Sequence, residues 1–281
     1  MPPLRTGMHR ADAQDDFLRA RRRRAMNRLR RTFERPGDVD VILPFDEVVA
    51  ALGRLGERDL GLQLVELDTI LGTVDRPHGF DREFRPTSSR VRTRWERIAA
   101  ARRRGEPMPP VDLYRVGEVH FVRDGHHRVS VARALGDREI DAYVVEVLTR
   151  VGAERTLRLS DLPLKSHERL FAERVPLPAA DARARMRMTD PLRLGELAEN
   201  VEAWGFRRSQ DEARLLDRDE TARRWYEEEF SPISDLLAEA GLRRADETEA
   251  DAYLRLASER YRVLYRQDTD DDTLAALTPP R

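Results

Sequence analysis

Three runs rich in β-branched residues lie between Pro110 and Leu148, and their punctuation restricts the chain to a small family of mixed sheets. Val111–Val116 and Val119–Arg123 are separated only by Gly117-Glu118, so they predict a tight hairpin. The third run, Ile140–Leu148, follows a stretch with helical character, Val129–Leu135, which stops at Gly136. A strand, a helix and then a strand apolar on both faces predict a crossover that returns to the interior of the sheet.

Around this centre the pattern is helical. Leu18, Ala25, Met26, Leu29 and Phe33 recur near one face of a basic stretch, Phe17–Arg35, closed by Pro36-Gly37. Nine arginines there face one glutamate, a net +8, in a chain whose formal charge is −1. From Val39 to about Gly61 a short helix with Pro44 in its first turn turns Val48, Val49 and Leu52 inward, and Leu64–Leu71 reads as a strand. Asp75–Ser89 is a long loop, and Arg90–Arg104 a helix with Val91, Trp95, Ile98 and Ala99 on one side. Beyond Arg150 helices are expected at Leu194–Ala203 and Asp219–Phe230, from Ser231-Pro232 to Gly241, and from near Asp246 onward. The last places Ala250, Tyr253, Leu254, Ala257, Tyr261 and Leu264 on one face. The expected class is α+β, divided as a disordered tail (1–16), a basic amphipathic helix and a short helix (17–61), a small mixed-sheet domain (62–150), a mainly helical domain (151–267) and a second disordered tail (268–281).

Composition removes several chemistries. There is no Cys, hence no disulfide, thiolate nucleophile or Cys-ligated metal. The basic residues are 50 Arg and a single Lys, Lys165, which is flanked by Leu164 and Ser166 and has no glycine-rich phosphate loop before it. No apolar run approaches the ~20 residues of a membrane span, and no leader-like stretch opens the chain, so a cytoplasmic location is expected.

The stretch that carries chemistry is Asp124-Gly125-His126-His127-Arg128, between a strand and a helix. Such a turn aims the first helical N–H groups, which lack carbonyl partners, at one spot, and the positive helix end favours an anion there. Gly125 permits close approach, and Arg128 could add a bidentate contact. His126 and His127 are candidate phosphate donors or proton carriers, with one of them structural. Asp124 either caps the helix or helps to hold Mg²⁺. Arg85, Ser88, Ser89 and Arg90, in the long loop and at the helix start beyond it, are further candidates, with Arg85 and Arg90 as secondary phosphate contacts. Arg21, Arg22, Arg23, Arg24 and Arg28 form the best feature for DNA or RNA, although poor aromatic interleaving argues against base stacking.

Pro110-Val111-Asp112-Leu113-Tyr114, Val119–Val122, Asp124–Arg128, Ala132, Leu135-Gly136 and Ile140–Val144 together resemble the ParB/sulfiredoxin-like domain over residues 62–148, about a third of the chain. Leu67–Leu71 resembles its first strand. The resemblance implies a small α/β domain that binds nucleotide phosphates, of CTP or ATP, at the Asp124–Arg128 turn. It admits a regulatory nucleotide binder, a phosphotransferase acting on a small hydroxyl compound with His126 or His127 as base, and a homodimer. His126 stands where sulfiredoxins carry Cys, which excludes sulfinic acid reduction, and where partition proteins carry Glu, which departs from their hydrolytic pattern. No helix-turn-helix is legible between Arg150 and Arg208. Trp225-Tyr226, Pro232, Gly241-Leu242 and Thr248–Leu254 resemble the C-terminal half of an uncharacterised bacterial family with ParB-like N-terminal regions.

Overall fold

A computed structural model describes residues 8–31, 41–74 and 79–260, with side chains from 27 to 31 excepted. The expected helix stop at Pro36-Gly37, the residues Phe33, Tyr261 and Leu264, and the tail 268–281 lie outside it. The chain forms two compact units, Met1–Ser166 and His167–Arg281, so the division falls later than the expected boundary at 150.

The first unit is built on one six-stranded mixed sheet. Its strands are β1 (Leu43–Pro44), β2 (Arg54–Glu66), β3 (Ile70–Thr73), β4 (Val111–Val116), β5 (Val119–Asp124) and β6 (Glu139–Thr149), in the order β1-β3-β5-β4-β6-β2. The predicted hairpin is β4–β5, with Val116 opposite Val119. The crossover helix brings β6 back parallel to β4, setting Val111 beside Ala142, so β6 lies inside the sheet with β2 at its outer edge.

Side chains sort onto the two faces with period two. Val111 and Leu113 of β4 and Val122 of β5 share one buried cluster, with Val129 and Ala132. Val116 of β4 and Val119 and Phe121 of β5 join another, with Val48, Val49 and Leu52 of the helix α1 (Phe45–Leu52). Among the described residues this unit also holds a basic N-terminal helix αN (His9–Arg31), α2 (Arg92–Arg103) and α3 (His126–Leu135). Phe17, Phe80, Trp95, Ala99 and Val131 form a core that joins them, and the Trp95 indole N–H donates to Ser130 Oγ at 2.8 Å.

Three expectations are corrected. Residues 9–16, expected to be disordered, belong to αN, with Asp12, Ala13 and Asp16 buried. The expected apolar face of αN is not the inward one: Leu18 and Met26 are exposed, and Ala13, Phe17 and Ala20 are buried. The strand expected over Leu64–Leu71 is two strands, β2 and β3, separated by a 3₁₀ turn at Leu67–Thr69.

The second unit is helical. It comprises α4 (Leu162–Arg174, which begins in the first unit), α5 (Ala180–Arg185), α6 (Leu194–Asp211), α7 (Arg218–Trp225), a π-helical turn at Tyr226–Phe230, α8 (Ser231–Glu239) and a helix over 249–260. Trp225, Phe230, Tyr253 and Leu254 are buried together. The Trp225 indole donates to the Tyr253 hydroxyl at 3.0 Å, which donates to Asn200 Oδ1 at 2.8 Å, so the polar atoms of these two buried rings are satisfied.

Candidate anion site at the start of α3

β5 ends at Asp124, and the chain turns into α3 through Gly125, whose φ is +105°. A Cβ there would lie 2.5 Å from Val111 Cγ1, so both backbone conformation and space require glycine. The amides of the first turn of α3, which no helical carbonyl can reach, lie at the end of the sheet where the parallel pair β3 and β5 stops.

The two histidines are placed differently. His126 Nε2 lies 2.7 Å from the buried Thr73 Oγ1, at the end of β3, and its ring lies near Phe84 and stacks on Phe80 at a 6.5 Å centroid distance. His127 meets the same Phe80 ring edge-on at 5.1 Å. Burial, followed by the positive charges of Arg94 and His126, lowers the His127 pKa from 6.5 to about 4. The ring is therefore neutral at pH 7, chiefly because it is buried, with the nearby Arg94 and His126 charges adding to the effect.

Arg128 is half-buried and already engaged. It donates to the carbonyls of Pro109 (2.9 Å) and Pro110 and forms an ion pair with Asp124. Asp124 therefore does not cap α3; Gly125 holds that position. A Mg²⁺ ion at Asp124 would compete with a guanidinium, and no group of three or more metal-ligating side chains gathers among the described residues.

Arg85 is buried in the loop that covers the histidines, where it pairs with Asp81 at 2.9 Å and Glu83 at 3.0 Å. Asp81 also accepts from the amides of Glu83 and Arg85. These bonds hold Phe84 in the left-handed region at φ 55°, a costly conformation for a bulky side chain. Arg90 is exposed in the 3₁₀ turn Ser89–Val91 that leads into α2. Arg21, Arg22 and Arg23 are exposed on αN, whereas Arg24 turns to Asp81 at 3.5 Å, and the Arg28 side chain lies outside the described residues. Thr73, Phe80 and Phe84 are the neighbours that sequence reasoning missed. Nothing in their local pattern marks them, because their role comes from the fold of the loop over α3.

No family model, curated protein or solved structure matches the chain. The site must therefore be read from its own chemistry.

Proposed function

We propose that the first unit is a ParB/sulfiredoxin-like nucleotide-binding module that seats the phosphates of CTP or ATP at the start of α3. Occupancy there would regulate contact with a nucleic-acid or protein partner. The reading rests on one convergence: helix-end amides, a glycine that allows close approach, and His127 kept neutral by burial and then by the charges of Arg94 and His126. Arg128 supports the site by bracing the Pro109-Pro110 segment against the turn. A phosphotransferase role for His127 has less support, since a base with a pKa near 4 is weak at neutral pH.

The test is thermal unfolding of the full chain with each nucleoside triphosphate and Mg²⁺. Ligand at about 100 times Kd adds about 2.7 kcal/mol, which raises the midpoint by roughly 5–10 °C in a unit of this size. The shift should shrink in His127→Gln. No shift with any nucleotide defeats the reading.

The exposure of Arg21, Arg22 and Arg23 on αN favours a second reading, contact with a nucleic-acid backbone. If these three reach phosphates, log K should fall against log salt with a slope of about −3. An unchanged slope after their replacement by Gln would dismiss it.

A further inference from the structure

A cleft of about 550 Å³ opens between α2 and the starts of β4 and α3. Its size is that of a small-molecule pocket. Ile98, Pro110 and the half-exposed ring of Tyr143 give it an apolar wall. Its charged lining is uneven. Arg128 and Asp124 neutralise each other, which leaves Arg94 and Arg97 against the single carboxylate of Asp112.

The pairing of arginines along α2 makes these two distinctive. Arg92 pairs with Glu96, Arg102 with Asp137 and Arg103 with Asp16. Arg94 and Arg97, the two that line the cleft, have no ion-pair or hydrogen-bond partner among the described residues. They stand three residues apart, so they are neighbours on one helix face and repel each other. Asp112 likewise lacks a partner, and it lies opposite Asp124 across the β4–β5 pair. Two exposed guanidinium groups and one carboxylate, none of them held by another side chain among the described residues, thus border one open cleft with an apolar wall.

We infer that the cleft binds a small organic acid with a flat apolar body and a hydroxyl group. The acid group lies between Arg94 and Arg97, the body lies against Tyr143 and Pro110, and the hydroxyl donates to Asp112. A carboxylate or phosphate suits guanidinium groups, and a hydroxyl donor suits a carboxylate that has no cation of its own. The cleft shares Arg94 and Arg128 with the proposed phosphate site at the start of α3, and His127, which does not line the cleft, separates the two readings.

The test is calorimetric titration of the full chain with 4-hydroxybenzoate, benzoate and phenyl phosphate. Saturable binding of 4-hydroxybenzoate is expected, weakened about tenfold or more when both arginines are changed to Gln, as befits loss of a charge-assisted contact. Asp112→Asn should remove the advantage of 4-hydroxybenzoate over benzoate. Phenyl phosphate tests whether a phosphate monoester serves as well as a carboxylate. In the unmutated chain the Tyr143 ring and Met108 methyl resonances should shift on titration, a readout that needs no variant. Absence of saturable binding by all three compounds, unmoved resonances at Tyr143 and Met108, or undiminished affinity in the Arg94→Gln/Arg97→Gln chain overturns the inference. So does affinity that is lost in His127→Gln but kept in that double variant.

Discussion

Two histidines of the first unit are disfavoured as cations. His120 lies with Nδ1 2.8 Å from Thr69 Oγ1, and burial followed by Arg115 and Arg155 lowers its pKa to about 4. His127 is lowered to about 4 as well, by burial, Arg94 and His126. In the unfolded chain both return to about 6.5, so between these values the unfolded state binds more protons. Their contribution to stability is complete above pH 6.5 and is lost as pH falls toward 4. For the better-buried His120 the loss is on the order of 2–3 kcal/mol. Denaturant midpoints across this range, with imidazole proton shifts followed by NMR, check the expectation. Folded-state titration of both rings near 6.5 would refute it.

At the scale of the element, αN shows how a charged helix is docked. Its inward face carries Phe17 in edge-to-face contact with Trp95 at 5.6 Å. It also carries Asp16, which accepts from Arg103 Nε at 2.7 Å, and Asp12, 3.8 Å from Arg103. These three charged side chains are almost fully buried, at 8% exposure for Arg103 and 3% for Asp12 and Asp16. Removing one carboxylate leaves the guanidinium buried beside a single distant partner. Asp16→Ala should therefore cost about 3 kcal/mol and speed hydrogen exchange in αN, whereas Asp16→Ala combined with Arg103→Met and Asp12→Asn, which leaves no charge of the cluster behind, should recover much of the loss. Equal stability of Asp16→Ala and the parent would show that the pair does not dock the helix. The same contact explains the misread face. Hydropathy ranks Leu18 and Met26 above Asp12 and Asp16, and only Arg103, 87 residues away from Asp16, reverses that order. Likewise Arg54–Glu66 has Gly56, Gly61 and five charged residues and little β-character of its own. It is a strand because β6 supplies a hydrogen-bonded partner along its length, with Leu62 opposite Tyr143 and Leu64 opposite Asp141.

At the scale of the molecule, each buried cluster among the described residues draws on one unit. The core around Trp225 draws only on residues from Phe171 onward, and the clusters on the sheet draw on residues up to Leu162. Units with separate cores unfold separately unless a large interface couples them. Calorimetry of the full chain should thus resolve two transitions, and nucleotide should raise only the one belonging to Met1–Ser166. A single transition with matching calorimetric and van't Hoff enthalpies would contradict this.

The sequence by itself determined the local grammar. β-branched runs marked β4, β5 and β6, Gly117-Glu118 marked the hairpin, and Gly125 marked the turn into α3, because period and backbone freedom are properties of neighbouring residues. It also placed Asp124, His126, His127 and Arg128 at one end of the sheet. Tertiary structure decided their chemical states. Pro109 and Pro110 engage Arg128, Asp81 and Glu83 engage Arg85, and burial with Arg94 keeps His127 neutral. Charge pairing and desolvation depend on groups brought together from distant parts of the chain, and no window of sequence contains them.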